Sequence, residues 1–524
     1  MKRNSKIVSV IDIGSSFVRM GIYQTGKNGT VETLDMLEHP TRLGHEVFTE
    51  GRIRAETVRE LTAALQGFSR VMKEYGVSEY RAVATTALRE AENRPYVVDQ
   101  LKTQNNLLVG VLEDGEESAL MYGELLRSPL MKKNALLAYI GTGSVGVAAA
   151  EEGAIIRCSS IRLGFMKLGE ILRELEDQTT HFHVVLEEYV ETRFRRLNRL
   201  FGRFGMGRLL LTGRELETIA PLCGAEGKQG ACLLRRDQLD ALYDRIKDLT
   251  VSAAARELSL PEETAGQVLP MLAIYRKILS LTQAEEIVAP CMDLMDILAA
   301  QLLLPARKLE FEAVQRNGAL SCARRLASFR HADVAHAERT AGYAALLFDK
   351  LKKLHGISAK RRTLLECAAL LHEIGENVNV KSSADAAYDL IRQSYIYGLN
   401  EEETVLTAEI VRCAGGDEAS GMPKQPLSEK QRLLVDKLAA ILMLANSLDE
   451  SHAGKIEELK LRLDEKALTV TAGGGAAQGA AVQGTTAHRA GEMLLEKWAF
   501  GECAPFFENV FGVRPVFINR SRLL

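Results

Sequence analysis

Long apolar runs are missing from this sequence: none approaches the roughly 20 residues that cross a bilayer, so no membrane association is expected. It also has no C-x-x-C pair. Its eight cysteines are scattered, which argues against a disulfide framework and for reduced thiols. Cys158, Cys291 and Cys367 stand among apolar neighbours and read as small core residues. Excess charge is missing too: the net value of −3 gives no bulk attraction to nucleic acid or to an anionic surface. The opening MKRNSKIVSVIDIG is basic but runs into a strand without a signal-type apolar core, so a cytoplasmic location is expected. No solenoid repeat occurs. What is present is a globular composition, 46% hydrophobic and 26% charged, in 524 residues, enough for three or four domains.

The order of segments predicts an α/β architecture. IVSVIDIGSSFVRMGIYQ (7–24) reads as a hairpin turning at Gly14-Ser15-Ser16. The stretch 52–76 has apolar residues at helical spacing and closes on Gly76. Residues 79–93 and 106–126 each run from a strand into a helix, the second through an acidic turn. AYIGTGSVGVAAA (138–150) is a second hairpin with a glycine turn, so a duplicated α/β domain is expected. From 165 to 305 the pattern is mainly helical, interrupted by the strand RLLLTG (208–213) and a loop or small insertion at 221–234. Helices fill 306–450, and 455–472 alternates as a hairpin turning at Asp464-Glu465-Lys466. GGGAAQGAAVQGTTAH (473–488) is low in complexity and reads as a loop. A helix over 489–500, with the single Trp498, precedes a last strand RPVFIN. The expected domains are 1–130, 131–305, 306–452 and 453–524.

Six stretches in this order, VIDIGSSFVRMGI, TRLGHEVFTEGRI, AVATTALREAENR, VLEDGEESALMYG, IGTGSVGVAAAEEG and IRLGFMKLGE, resemble the exopolyphosphatase/guanosine-pentaphosphate phosphohydrolase family. The resemblance is close over 7–170 and looser over 170–300, and 320–450 is similar to the HD-type domain of the longer members. It implies two ribonuclease-H-like (actin-like) domains around a cleft, then an all-α HD-like domain and a small C-terminal α/β piece. It also implies release of the terminal phosphate of polyphosphate or pppGpp by metal-assisted attack of water, with Mg²⁺ as cofactor, no nucleic-acid partner, and a homodimer.

Taken by itself, Asp12 in DIGSS is either a hairpin-turn aspartate or a Mg²⁺ holder, with the N–H groups of Gly14 and Ser15 cupping phosphate oxygens. Arg89 begins a helix, where it either forks onto phosphate or pairs with Glu92 or another acid. Glu116 and Glu117 both suit a helix start on dipole grounds. The resemblance makes Asp12 and Glu117 the catalytic pair, Glu117 as the base that activates water, and Arg89 a phosphate binder.

The second glycine turn departs from the family pattern Asp-x-Gly-Gly-Gly-Ser-x-Glu. Gly141, Thr142, Gly143 and Ser144 keep a backbone cradle for phosphate, but Tyr139 stands at the Asp position and Gly146 at the Glu position. Loss of two carboxylates weakens Mg²⁺ binding and the orientation of water. Thr212-Gly213-Arg214 is either a further phosphate turn or an ordinary strand-to-helix turn. In the helical region His336 and His372-Glu373 match parts of an HD metal site. Asn446 replaces the expected late aspartate, so His336 and His372 are read as buried, hydrogen-bonded structural histidines in a degenerate HD site. His181 and His183 would bind a metal only with outside help. The basic stretch 193–208 lines a polyanion channel or forms a solvated amphipathic helix. Two functions therefore stand: a phosphoanhydride hydrolase, or a degenerate member that binds polyphosphate or a nucleotide alarmone as a sensor. A kinase of the same superfamily is a third, for which an adenosine pocket would be needed.

Overall fold

The computed structural model describes residues 6–520 except 27–28, 132–133, 177, 180, 203, 229–230, 291, 416–422 and 475–492. Cys291 and most of the low-complexity stretch 473–488 thus lie outside the described residues. The chain divides into two compact units, 1–317 and 318–524.

The first unit contains two sheets built on one plan. Strands β1 (Ile7–Ile13), β2 (Phe17–Thr25), β3 (Val31–Pro40), β4 (Glu79–Ala84) and β5 (Val109–Val111) form the first, in the order β3-β2-β1-β4-β5. β1, β2 and β3 pair antiparallel, whereas β4 and β5 run parallel to β1. Successive side chains of a strand face opposite ways, and β1 is buried on both faces, apolar apart from Ser9 and Asp12. Ile11 and Ile13 pack on helix Ala55–Glu74 through Val58, Leu61, Leu65, Phe68 and Met72, spaced three and four apart. Val8 and Val10 pack on helix Leu294–Leu303. Each buried aliphatic chain of this kind contributes about 1.5–3 kcal/mol.

The second sheet repeats the plan with β6 (Asn134–Ile140), β7 (Val145–Glu151), β8 (Ala154–Ile161), β9 (Leu209–Thr212), β10 (Glu226–Lys228), β11 (Ala231–Arg235) and β12 (Glu286–Pro290). Its order, β10-β11-β12-β9-β6-β7-β8, contains the same antiparallel triplet followed by two parallel strands, extended at one edge by a hairpin. The duplication expected from the two glycine turns is therefore real. Of the readings of 221–234 as a loop or a small insertion, the loop is corrected: β10 and β11 occupy part of it as a hairpin. β12 was hidden within a region read as helical because its five residues carry no alternation of their own and depend on β9 and β11 for pairing. Helix Phe182–Phe201 buries Phe182, Leu186, Val190, Phe194, Leu197 and Phe201. Its arginines 193, 195, 196 and 199 are exposed, so this part of the basic stretch is an amphipathic helix.

The second unit is helical over Val334–Lys350, Arg362–Leu371, Ser383–Gln393, Glu401–Gly415 and Glu429–Ser447. It ends in a small sheet of β13 (Glu458–Leu463), β14 (Ala467–Gly473) and β15 (Arg514–Asn519), ordered β13-β14-β15. The β13–β14 turn is the expected one, with Ala467 N–H donating to Asp464 Oδ1 at 3.0 Å. The last helix, Leu494–Phe511, continues past the expected end at 500 and stops at Gly512, whose φ of 70° suits glycine.

The second glycine turn is held from below by Gly164. A methyl group there would overlap the backbone of Gly141, Thr142 and Gly143, which cannot rotate away as a side chain can. Gly164→Ala is expected to cost about 1–3 kcal/mol, read as a lower urea midpoint; an unchanged midpoint would show that the turn moves freely.

Candidate active site

The first glycine turn joins β1 to β2, and Asp12 faces Arg19 across that pair. Arg19 Nη2 donates to Asp12 Oδ2 at 2.7 Å, and Nη1 donates to Asp293 Oδ2 at 2.5 Å. Asp12 Oδ1 is buried without a hydrogen-bond partner among the described residues. Burial raises the Asp12 carboxyl above its usual range, against the opposing pull of Arg19. Neither Arg19 nor Asp293 was picked out from the sequence; only the register and a contact across 274 positions join them to Asp12.

The turn is also tied to its counterpart. Gly14 N–H donates to Phe17 O at 3.0 Å and Gly141 N–H to Ser144 O at 2.8 Å. These two amides thus serve their own turns, which corrects the expectation that Gly14 offers its N–H to phosphate. Ser15 Oγ and Thr142 Oγ1 are 2.8 Å apart, a hydrogen bond between the two loops. Gly143 lies against Thr86 and Phe48, and Ser144 is buried.

The second group is centred on Glu117. At the start of helix Asp114–Arg127, Glu113 and Glu116 form a capping box, with Glu113 N–H donating to Glu116 Oε2 at 3.2 Å. The two neighbouring glutamates therefore differ in role: Glu116 caps, and Glu117 turns inward and is buried. Tyr139 Oη donates to Glu117 Oε1 at 2.6 Å, and Arg89 Nη1 donates to Oε2 at 3.2 Å. Arg89 also donates to Leu112 O at 2.6 Å, to Thr86 Oγ1 at 2.9 Å and to Asp114. Its ion pairs are thus with Asp114 and Glu117 rather than Glu92, and both terminal nitrogens are occupied. Burial raises the Glu117 carboxyl while Arg89 and Tyr139 oppose it. Burial, with the nearby Glu117, carries the Tyr139 phenol well above 10, so it remains a donor.

Tyr139 thus takes the place of an acid and spans to the candidate base. Its neighbour across the β6–β7 pair is Gly146. A side chain at Gly146 would run into the Tyr122 hydroxyl and lie 2.8 Å from Ser118 Oγ, so that space is filled from helix Asp114–Arg127.

The turn after β9 holds a buried acid that the sequence did not reveal. Thr212 Oγ1 is buried without a partner among the described residues, and Arg214 donates to Glu38 at 2.7 Å. Glu215, the next residue, is buried; Tyr275 Oη donates to its Oε1 at 3.0 Å, and Oε2 has no partner among the described residues. Burial pushes its carboxyl up to about 8.

In the second unit, His336, His372, Asn446, Asp449 and His452 come together. His336 Nδ1 lies 2.9 Å from Asp449 Oδ2, and His372 Nδ1 lies 2.8 Å from Ala369 O. Both Nε2 atoms are 2.8 Å from Asn446 Oδ1 and 3.3 Å from each other. Glu373 Oε1 is 3.5 Å from His336 Nε2 and 3.2 Å from His452 Nε2. His336 is fully buried, as expected, but Asp449 and His452, in SLDESH, went unnoticed because only the aspartate expected at 446 was sought. Burial and the adjacent His336 push the His372 imidazole down to about 4. On the first unit, exposed His181 and Asp248 lie near His183, whose Nδ1 is 3.3 Å from Asp248 Oδ1.

Glu215 makes stability depend on pH. The unfolded carboxyl titrates near 4.3 and the folded one about 8. Between these values the folded chain holds the extra proton, so stability falls as pH rises through this window and levels off above it. Glu215→Gln keeps the acceptor for Tyr275 and removes the buried charge. It is expected to flatten the decline and to raise stability at pH 8.5 by about 2–4 kcal/mol, measured by urea unfolding at several pH values.

The family model described as the Ppx/GppA phosphatase family matches residues 22–289, and the model of its domain III matches 320–472. A guanosine-5'-triphosphate,3'-diphosphate pyrophosphatase of Photobacterium profundum is 21% identical over 453 residues, 84% of this chain and 88% of that protein. An uncharacterized protein of Streptomyces coelicolor is 26% identical over 269 residues, 51% of this chain and 80% of its own. The crystal structure of an exopolyphosphatase from Cytophaga hutchinsonii superposes with a TM-score of 0.50 at 20% identity, covering 57% of this chain and 98% of that one. The duplicated sheets, the paired glycine turns and the family match agree: this chain belongs to the Ppx/GppA phosphatase family.

Proposed function

We propose that the first unit is a phosphoanhydride site of low turnover. It takes the terminal phosphate of polyphosphate or of a guanosine pentaphosphate between the loops at Gly14–Ser16 and Gly141–Ser144, and releases it by attack of water. The substrate class rests on the relatives named above. The observation that carries the low turnover is the 2.6 Å hydrogen bond from Tyr139 to Glu117. It keeps the candidate base in place yet occupies the oxygen that would receive the proton.

Water is a weak nucleophile, and a positioned carboxylate that accepts its proton accelerates attack by roughly 10²–10⁴. In this reading Glu117 accepts that proton as the water oxygen bonds to the terminal phosphorus. The bridging P–O bond breaks, and its electron pair leaves with the shortened chain. The Ser15 and Thr142 hydroxyls exchange their mutual bond for phosphate oxygens, joined by the N–H groups of Gly143 and Ser144. Arg89 balances Glu117 and Asp114 rather than gripping phosphate directly. For Mg²⁺, Asp12 Oδ1 is a buried carboxylate oxygen without a partner among the described residues, which fits one position in the ion's shell. Asp12 would hold the ion, which supplies neutralisation of phosphate charge when bound. The reading also carries a cytoplasmic homodimer.

Binding without turnover is the second reading, favoured by the filled space at Gly146, where no acid can enter. Purified protein with long-chain polyphosphate, followed for released phosphate and for binding with and without Mg²⁺, separates the two. Binding with slow, Mg²⁺-dependent release is expected. Glu117→Gln should then lower release by about 10² or more with binding little changed, and Tyr139→Phe should raise release by freeing Glu117. Release that is unaltered in Glu117→Gln removes the base, and absence of binding under both conditions overturns the proposal.

A further inference from the structure

Within the first unit, two ion pairs join elements of the first sheet to elements of the second beside the glycine turns. Arg214, in the turn after β9, donates from Nη2 to Glu38 Oε1 at 2.7 Å, while Glu217 Oε2 lies 3.9 Å from its Nε. Lys167, in helix Phe165–Glu176, donates from Nζ to Glu90 Oε2 at 2.5 Å. In both pairs the cation comes from the second half of the unit and the acid from the first.

Each cation stands by one turn. Residues directly opposite in an antiparallel pair share a face, so Asp12, Arg19 and Glu38 form one row across β1, β2 and β3. Arg214 closes the end of that row, its guanidinium 5.2 Å from the ring of Phe17, the residue that follows the first turn. Lys167 is tied to the second turn: its backbone N–H donates to Thr142 O at 3.0 Å. Its Nζ lies 5.6 Å from the ring of Phe48, against which Gly143 packs. Both distances are within the roughly 6 Å at which a ring face attracts a cation. An aromatic face holds a cation without neutralising it, so each stays in place when its carboxylate leaves.

We infer that Arg214 and Lys167 grip the phosphates of a linear polyphosphate, and that Glu38 and Glu90 cover them when no ligand is bound. The inference rests on the phosphate site proposed above and adds to it the side chains that hold the chain. A carboxylate and a phosphate present the same anionic oxygens to a guanidinium or an ammonium, so the two acids are internal competitors of the ligand. Polyphosphate repeats its charge along the chain, which lets one molecule exchange with both. The Arg214 and Glu38 side chains are 39% and 40% exposed, so their attraction is screened and readily exchanged. Lys167 and Glu90 are 17% and 16% exposed, which makes theirs the stronger cover. Arg89, committed to Glu117 and Asp114, leaves this work to them.

The test is titration calorimetry of the full chain with long-chain polyphosphate at low salt, with and without Mg²⁺. Arg214→Gln and Lys167→Gln should each weaken binding by about tenfold or more. Glu38→Gln should tighten it by up to about fivefold, and Glu90→Gln by more. This reversal of sign keeps the test decisive, because a misfolded variant does not gain affinity and a pair that only ties the two halves together gives no gain when cut. Arg195→Gln, on the exposed face of helix Phe182–Phe201, removes the same charge elsewhere and should leave binding unchanged. The inference is overturned if both glutamate variants bind no more tightly than the wild type, or if Arg195→Gln loses as much as Arg214→Gln. A wild type that binds no polyphosphate removes the proposed site and this inference with it, whereas tight wild-type binding with unaltered variants removes this inference alone.

Discussion

Two buried arginines, each serving two carboxylates, set the geometry of the cleft. Arg19 on β2 binds Asp12 of β1 and Asp293, which caps helix Leu294–Leu303. Arg89 binds Glu117 and Asp114, both from the first turns of one helix. A carboxylate taken out of water without a partner costs several kcal/mol, and removing one member of such a pair commonly costs 3–5 kcal/mol. The charges that the chemistry needs are therefore held inside the fold only because these guanidiniums are there. The same arrangement restricts them, since an arginine that stabilises a buried acid is not free to grip phosphate.

The replacement of acids in the second loop acts in two different ways. Gly146 leaves a gap that Tyr122 and Ser118 close, so nothing of the acid's chemistry persists at that point. Tyr139 does more than fill space. Its phenol is a donor where a carboxylate would be an acceptor, and a donor placed by a candidate base satisfies that base. Changing the sign of one hydrogen-bonding group thus places at Glu117 a neighbour that occupies one of its oxygens. The backbone of the turn does not depend on either side chain, so in the proposed site affinity for phosphate and power to hydrolyse it would come apart.

The architecture of the first unit was legible because its signals are local. The hairpins at 7–24 and 138–150 follow from glycine turns and strand patterning, whereas helix-start chemistry suited Glu116 and Glu117 alike and only the capping box separates them. Strand β12 was not legible, because five residues paired on both edges owe their conformation to β9 and β11. The partners of the site residues were equally hidden. Arg19 faces Asp12 only through the β1–β2 register, and Asp293 reaches Arg19 only after the chain has completed the second sheet. The same holds for Tyr139: the sequence shows the missing acid, but only packing shows where the hydroxyl goes.

The imidazole cluster shows how much of an arrangement lies outside the residues that a motif names. Asn446 was read as the loss of a charged ligand, and with it the loss of the centre. Its carboxamide oxygen lies 2.8 Å from the Nε2 atoms of both His336 and His372, within hydrogen-bond distance of each. The orientation of the His336 ring does not depend on that contact alone. Asp449, three residues beyond Asn446, imposes that orientation by holding His336 Nδ1 while Arg339 and the Gly454 N–H hold Asp449 in turn. The cluster is therefore organised from behind, and a substitution at 446 leaves that organisation standing.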